Sequence, residues 1–261
     1  MFDFHIHSTV SFDGHDSGLT MALAAKAAGL REICFTDHID EDPRGIITDQ
    51  CFSLDAYSSA YDGLEIPGLT IRRGLEFGLL PGNPATLERY LAARDFDFVL
   101  GSLHYAAGED VYYPPYWTGR DLFQGERQYL EDTLQCVREH DGFDVLAHLT
   151  YISKARHNPA HTPVAYAQHR EIVDEILKVL VSKGKGMELN TSGVDRCGDF
   201  LPPEKYLRRF KELGGEIVTV GSDAHSASRV GQYTDRACEI LKDIFGYVCT
   251  FENRQPTFHK L

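Results

Sequence analysis

The sequence predicts a single-domain α/β protein whose parallel strands close into a barrel. Three observations support this fold class. Short apolar or β-branched runs alternate with longer amphipathic stretches along all 261 residues, no linker divides the chain, and no glycine-rich dinucleotide fingerprint follows the first strand. Alternating strands and helices imply a parallel sheet, and seven such units without that fingerprint favour a closed barrel over an open doubly wound sheet.

Seven segments carry the strand pattern, and the helical stretches between them have recognisable ends. Ser17 is expected to cap the first helix and Gly29 to end it. The predicted strands are Phe2–His5, Glu32–Phe35, Thr70–Leu75, Phe98–Gly101, Asp144–Ala147, Gly186–Leu189 and Glu216–Val220. The predicted helices are Leu19–Ala28, Pro84–Ala93, Arg120–His140, Pro163–Ser182 and Pro203–Leu213.

Two long irregular segments interrupt this alternation, namely Ile39–Leu69 and Tyr105–Gly119, which are rich in Tyr, Pro, Gly and Asp. Long loops inside a compact domain are usually functional. We expect the second segment to form a wall that faces the substrate, with packing contributed by its aromatic residues Tyr112, Tyr113, Tyr116 and Trp117.

The formal net charge of −13 restricts the possible partners. Nucleic acids and anionic membranes are bound by Lys and Arg, so neither partner is expected. An acidic protein that handles phosphate must concentrate positive charge locally, and metal ions can supply it. The six cysteines form no C-x-x-C pair and are expected to be reduced, and the N-terminal MFDFHIHS lacks a signal-peptide pattern, so the expected location is the cytoplasm.

Potential metal ligands follow nearly every predicted strand. Because the carboxyl ends of barrel strands converge on one mouth, ligands far apart in sequence can meet there. Residues two apart in an extended segment point the same way, as His5 and His7 would, and Asp223 and His225 repeat that spacing. The strand-end motifs are His5-Ile6-His7, Thr36-Asp37-His38, Leu75-Glu76, Ser102-Leu103-His104, Ala147-His148 and Ser222-Asp223-Ala224-His225.

The remaining histidines and acids divide into several groups. His15 lies in a loop, and the residues alone leave open whether it is a ligand. Asp3 is expected to orient a ligand histidine, and Asp37 to act as an orienting or capping carboxylate. The histidines without ligand spacing, expected at the surface, are His140, His157, His161, His169 and His259.

These motifs, in this order, resemble the PHP (polymerase and histidinol phosphatase) superfamily, and the closing TFENRQPTFHKL is similar to the tail of its histidinol-phosphatase branch. The resemblance covers the whole chain, 1–261, as one phosphoesterase domain. It implies a distorted (β/α)7 TIM-like barrel and three divalent metal ions, whose identity among Zn, Mn, Fe and Co the residues leave open. It assigns His5, His7, Glu76 and Asp223 to the first metal. The second would take Glu76, His104 and His148, and the third His15, His38 and His225.

The resemblance also implies a reaction. A metal-bridging hydroxide would attack a phosphate monoester, most characteristically L-histidinol phosphate of histidine biosynthesis, with Glu76, Asp223 and His225 as catalytic residues. Arg156 and Arg196 would bind the substrate phosphate. The ammonium and imidazole groups could meet carboxylates and aromatic residues such as Glu109, Tyr112, Tyr113 or Trp117. The general acid and the oligomeric state stay open.

Three alternatives compete with this interpretation. Another phosphomonoester could be the substrate, since YISKARHN departs from the commoner family pattern. An amidohydrolase would share the H-x-H strand and the last Asp, but it gives no reason for His15, His38 and His225 and normally has Lys where this chain has Glu76. A noncatalytic or proofreading module of a polymerase would belong to a much longer chain and need a basic channel for a strand.

Overall fold

The computed structural model of the protein describes residues 1–261. Its strands in chain order are β1 Phe2–Ile6, β2 Glu32–Phe35, β3 His38–Ile39, β4 Thr70–Gly78, β5 Phe98–Ser102, β6 Tyr105–Ala106, β7 Glu109–Asp110, β8 Val145–Leu146, β9 Gly186–Asn190, β10 Val218–Gly221, β11 Tyr247–Glu252 and β12 Gln255–Lys260. Its helices are α1 Gly18–Ala27, α2 Leu54–Tyr61, α3 Pro84–Ala93, α4 Pro114–Trp117, α5 Leu122–Glu139, α6 Tyr166–Ser182, α7 Val194–Cys197, α8 Glu204–Glu212 and α9 Thr234–Ile244. None of these helices combines the length and apolar composition needed to cross a membrane.

Seven parallel strands form a nearly closed barrel in the order β1-β2-β4-β5-β8-β9-β10. The short β3 continues the barrel wall by pairing His38 with Glu76 of β4. Closure between β1 and β10 rests on a single bridge, from Ile6 to Ala224. The predicted α/β barrel is confirmed, and each of its seven predicted strands corresponds to an observed one.

The barrel strands are buried on both faces, which explains why they read as continuous apolar runs rather than alternating ones. The surrounding helices agree with the predicted set. The Ser17 side chain accepts a hydrogen bond from the backbone N–H of Thr20, and Gly29 ends the turn after α1 with a φ of +75°. The sequence analysis missed α2 and α9, together with the β11–β12 hairpin.

The β11–β12 hairpin closes the amino-terminal end of the barrel, opposite the strand-end motifs. Phe251 packs on Phe98 with ring centroids 4.7 Å apart. Arg254 donates to the carboxylate of Asp144, with 2.8 Å from its Nη2 to Oδ1. The backbone N–H of Arg254 donates to the carbonyl of Asp97 at 2.9 Å. The hairpin therefore seals the apolar interior and leaves the other mouth open.

Two histidines expected at the surface are buried instead, so that prediction was wrong for them. His140 donates from its Nε2 to the carbonyl of Leu80 at 3.0 Å, and burial lowers its pKa. His169 lies with its Nε2 2.9 Å from Glu126 of α5, at a kink in α6 where its φ is −120°. Helical periodicity did not predict that these two histidines are buried, because the group that hydrogen-bonds to each of them lies on another element.

Candidate metal centre

The open mouth of the barrel gathers the predicted ligands. His5 is part of β1 and His7 follows it, while Glu76 lies in the buried half of β4. The other predicted ligands from strand ends lie in β3 or just beyond β5, β8 and β10, and they are His38, His104, His148, Asp223 and His225. The topology of a parallel barrel thus converts dispersed strand ends into one cluster.

Glu76 is the centre of this cluster. Its side chain is fully buried and is surrounded by five imidazoles. The distances from its carboxylate oxygens are 3.1 Å to His5 Nε2, 3.3 Å to His7 Nε2, 3.1 Å to His38 Nδ1, 3.4 Å to His104 Nε2 and 2.8 Å to His148 Nε2. One buried carboxylate facing this many nitrogens is the donor set of a metal site rather than of an apolar core.

The potential ligand atoms form four overlapping groups, each with its atoms within 4.8 Å of one another. The groups are His5, His7 and Asp223; His5, Glu76 and His148; His7, His38 and His225; and His38, Asp40 and His104. The first three overlap the predicted first, second and third metal sites. The last contains Asp40, which the sequence analysis did not propose as a ligand.

His15 is the predicted ligand that the structure does not bring into any of these groups. Its side chain is exposed at the pocket rim, and its backbone N–H donates to the carbonyl of His225 at 2.8 Å. Asp13 takes the place next to the third group. Its Oδ2 is 3.2 Å from Nε2 of His225 and 3.8 Å from Nε2 of His38. The turn after His7 therefore presents the acid to the cluster and the histidine to solvent.

Buried carboxylates orient the histidines from behind. Glu188 in β9 holds Nδ1 of His5 at 2.7 Å and accepts a hydrogen bond from the backbone N–H of His148 at 2.8 Å. Asp40 lies 3.0 Å from Nδ1 of His104 and 3.1 Å from Nδ1 of His38. Such contacts fix the ring orientation of metal-binding histidines. An acid within a strand or after a two-residue strand carries no sequence signal that would have revealed this role.

Asp3 and Asp37 act on the backbone rather than on imidazoles. Asp3 accepts hydrogen bonds from the backbone N–H groups of Ser222 at 2.8 Å and Gly231 at 2.9 Å. Asp37 accepts one from the backbone N–H of Ser8 at 2.8 Å and another from the hydroxyl of Tyr61. Asp3 also accepts a hydrogen bond from the backbone N–H of the predicted ligand His5 at 3.4 Å, so it acts on this residue through the backbone and not through the ring. Asp37 caps the loop after β1.

The electrostatics of the cluster fit bound cations. Burial would raise the pKa of Glu76, but His5 and the neighbouring histidines hold it well below its usual value. Burial would lower the pKa of His38, but Glu76 and Asp40 raise it to about 9. Burial, together with the nearby His225 and His38, lowers the pKa of His7 well below its usual value. Without an ion, the buried carboxylate and the imidazoles therefore depend on one another for charge compensation, a role that divalent cations would take over.

Unpaired nitrogens support the same conclusion. The buried Nε2 of His7 and Nδ1 of His38 make no hydrogen bond of adequate geometry, although carboxylate oxygens lie close to both. Buried polar atoms without partners are rare in proteins, and imidazole nitrogens facing carboxylates are typical ligands of Zn and related divalent ions. The residues present therefore fit divalent metal ions.

The seam between β1 and β10 passes through this cluster. The backbone N–H of His7 donates to the carbonyl of Ala224 at 2.9 Å, and that of Asp223 donates to the carbonyl of His5 at 2.8 Å. Gly221 is required for this approach, because a Cβ there would lie 2.3 Å from Cβ of His5. Asp223 adopts a left-handed φ of +55°, a strained conformation that is common at functional sites.

A pocket of about 870 Å³ opens over the cluster. Lys154 lies in its wall, with Nζ 2.8 Å from Oγ of Ser192 and paired with the carboxylate of Asp223. Of the two arginines predicted to bind the substrate phosphate, Arg196 also lines the pocket, whereas Arg156 is exposed and does not line it. The short 3-10 turn Tyr151–Lys154 ends before Arg156, so the cation that this segment presents to the cluster is Lys154.

Only two of the four aromatic residues that were predicted to face the substrate line the pocket. Tyr112 and Tyr113 line the pocket. Tyr116 and Trp117 belong to the core, where the Tyr116 hydroxyl donates to the carbonyl of Gly125 at 2.6 Å and Trp117 Nε1 donates to that of Val111 at 2.9 Å.

A family model described as the PHP domain matches residues 3–192. The chain belongs to the PHP domain family. The match includes seven of the nine residues that were predicted as ligands, and it ends before the other two, Asp223 and His225. The fold brings these two predicted ligands to the others across the barrel seam. Family membership favours the phosphoesterase interpretation over the amidohydrolase one.

Relatives of this PHP domain are similar along nearly their whole length. The histidinol-phosphatase of Lactococcus lactis subsp. lactis is 32% identical over 249 residues, which cover 92% of this chain and 90% of that protein. A probable histidinol-phosphatase of Thermotoga maritima is 29% identical, covering 93% of this chain and 91% of that protein.

A solved structure is similar as well. The crystal structure of histidinol phosphate phosphatase from Lactococcus lactis subsp. lactis, complexed with zinc, L-histidinol and phosphate, has a TM-score of 0.86 at 27% identity and covers 98% of both chains. A structure of a putative histidinol phosphatase from Listeria monocytogenes, at 19% identity and a TM-score of 0.77, covers 90% of this chain and 99% of that one and supports the fold alone.

Proposed function

We propose that this PHP domain is a metal-dependent phosphomonoesterase that hydrolyses L-histidinol phosphate to L-histidinol and phosphate. The observation that carries the proposal is the buried carboxylate of Glu76 among five imidazoles at the floor of an open pocket. The similarity to a phosphatase crystallised with zinc, L-histidinol and phosphate supports the substrate.

The ligand groups suggest how three divalent ions would be held. His5, His7 and Asp223 would hold the first ion together with Glu76, and Glu76, His104 and His148 the second. The third would be held by His38, His225 and Asp13, with Asp13 replacing the predicted His15. Zinc fits this histidine-rich donor set, and Mn, Fe and Co share its ligand preferences.

Five carboxylates lie at this site, which is more than the two that the sequence analysis counted. Glu76, Asp223 and Asp13 belong to the proposed ligands, and Asp40 and Glu188 stand directly behind them. Three divalent ions would carry +6 against −5 from these carboxylates, which leaves +1, and an attacking hydroxide would bring the sum to zero. The positive charge that attracts the phosphate would then come from Lys154 and Arg196 in the pocket lining, despite the acidic chain.

The chain's own residues would bind and orient the ester. When bound, divalent ions would supply the activation of water and the charge that stabilises the oxygens of the reacting phosphate. Lys154, next to Asp223, is positioned to donate to a phosphate oxygen, and Arg196 would draw the anion towards it. The residues predicted as catalytic would act by holding the ions in position, and they are Glu76, Asp223 and His225. Glu188 and Asp40 would fix the orientation of the histidine rings.

Phosphate release from a panel of substrates tests this proposal. The metal-replete enzyme should prefer L-histidinol phosphate over p-nitrophenyl phosphate in kcat/KM and should leave single-stranded DNA intact. Chelation should abolish turnover, and added Zn or Mn should restore it. Equal kcat/KM on both monoesters would refute the substrate, and preferred cleavage of a phosphodiester would favour a nuclease-type PHP activity instead.

A further inference from the structure

The walls of the pocket differ in charge. One wall presents Lys154 and Arg196, both candidates for the phosphate. A second part of the wall is formed by the β6–β7 hairpin and the residues after it, and there the pocket is lined by Tyr105, Asp110 and Tyr112. A carboxylate on this second wall has no role in binding a phosphate, which raises the question of what it recognises.

Strand alternation explains why this carboxylate is Asp110 and not the neighbouring Glu109. Tyr105 pairs with Asp110 across the hairpin, so their side chains share one face, and both line the pocket. Glu109 pairs with Ala106 and points to the other face. There its Oε2 accepts from Nη1 of Arg44 at 2.5 Å. Glu109, which the sequence analysis considered for the substrate, is thus committed to an ion pair outside the pocket.

Asp110, in contrast, has no cationic partner in the chain. It accepts one hydrogen bond, from the backbone N–H of Tyr112 to Oδ1 at 2.8 Å, and it forms no ion pair. The rings of Tyr112 and Tyr113 meet edge to face beside it, with centroids 5.5 Å apart. Burial raises the pKa of Asp110, as expected for a carboxylate that lacks a compensating cation. A partly buried acid with a free oxygen in a ligand pocket is suited to bind a cation.

The position of Asp110 relative to the metal centre fits a short substrate. The next residue, Val111, donates its backbone N–H to the carbonyl of His104 at 3.0 Å, so the strand that carries Asp110 is hydrogen-bonded to the segment that carries a proposed ligand. In L-histidinol phosphate the amino group is on the carbon next to the one that bears the ester oxygen. An ester placed at the metal centre therefore carries its ammonium close to this wall.

We propose that Asp110 determines substrate specificity by accepting a charge-assisted hydrogen bond from the protonated amino group of the substrate. The inference rests on the proposed function and deepens it. The aromatic wall beside Asp110 would pack against the imidazole, while Lys154 and Arg196 hold the opposite, anionic end. The pocket would thus bind both the anionic phosphate and the cationic ammonium of the ester. A phosphate monoester without an amine would leave Asp110 unpaired.

The test compares two substrates that differ only in the amine: L-histidinol phosphate and 3-(imidazol-4-yl)propyl phosphate. We expect the wild type to prefer the amine-bearing ester, and Asp110→Asn to reduce the ratio of the two kcat/KM values by about 10- to 100-fold, the range for a hydrogen bond to a charged group. The ratio is insensitive to the amount of folded or metal-loaded enzyme, because both esters are cleaved by the same molecules.

Glu109→Gln is the matched control, since it removes a carboxylate from the same hairpin on the face away from the pocket. It should keep the wild-type ratio within about twofold, as an exposed change usually does. An unchanged ratio in Asp110→Asn, or an equal loss in both variants, would overturn the inference. The proposed function fails separately, when the wild type shows no preference for L-histidinol phosphate over p-nitrophenyl phosphate.

Discussion

Replacing Asp13 by Asn should weaken the binding of one metal ion, whereas replacing His15 by Asn should not. The structure places the Asp13 carboxylate 3.2 Å from Nε2 of His225 and leaves His15 exposed at the rim. The two residues are two positions apart in one loop, and Asn preserves the size of Asp13 while removing its charge. The pair of variants therefore tests the ligand assignment and not the stability of the loop.

The expected magnitude follows from burial. Removing one partner of a fully buried charged pair costs about 3–5 kcal/mol. Asp13 has a side chain that is 39% exposed, so solvent screening reduces its contribution, and we expect about 2–3 kcal/mol. Since 1.4 kcal/mol is a factor of ten, one ion should bind roughly 30- to 150-fold more weakly.

The assay is elemental analysis after equilibrium dialysis against a series of buffered free zinc concentrations. Asp13→Asn should show one binding step shifted to higher zinc while the remaining steps stay in place, and His15→Asn should match the wild type. A shifted step in His15→Asn, with Asp13→Asn unchanged, would refute the reasoning and restore the ligand set that the sequence predicted.

Three further predictions concern the same mouth of the barrel. Glu76→Gln should leave less than about a tenth of the wild-type kcat in metal-replete enzyme, because a neutral amide cannot serve two ions; a higher kcat would exclude a bridging role. Lys154→Met should lower kcat/KM by a factor that corresponds to a loss of about 1.5–3 kcal/mol of transition-state stabilisation, and Arg156→Met by one that corresponds to less than about 0.5 kcal/mol. Steady-state kinetics that show the reverse order would assign the phosphate contact to Arg156 instead. Burial would lower the pKa of His38, but Glu76 and Asp40 raise it to about 9 in the metal-free protein. The bound proton must leave when a metal enters, so metal affinity should rise between pH 6.5 and 9, and calorimetry in buffers of different ionisation enthalpy should detect its release.

Strand positions and strand-end motifs were predictable because both are local. The strand Glu32–Phe35 and the helix Pro84–Ala93 were predicted to the residue, since an apolar run and a proline start define their ends. The β11–β12 hairpin was missed as a structural element because its outer strand is largely exposed and lacks an apolar pattern.

The errors at the site have a different origin, because they depend on side-chain direction. Asp13 and His15 lie two residues apart in a turn, where no periodicity indicates which one faces inward. Lys154 and Arg156 present the same difficulty after a 3-10 turn. Glu188 was overlooked because it lies inside a strand that reads as apolar. Its contact with His5 becomes visible only in the closed barrel, where β10 alone separates β9 from β1.

The barrel seam links metal occupancy to the integrity of the whole fold. The first and last barrel strands are joined by one bridge, and the residues beside it, His5, His7 and Asp223, are proposed to share an ion. An ion held by both strands would act as a cross-link between segments more than two hundred residues apart, and its binding free energy would add directly to the free energy of unfolding. Amide protons along β1 and β10 would then exchange more slowly as metal is added, while those of the β11–β12 hairpin at the far end would respond only to global unfolding.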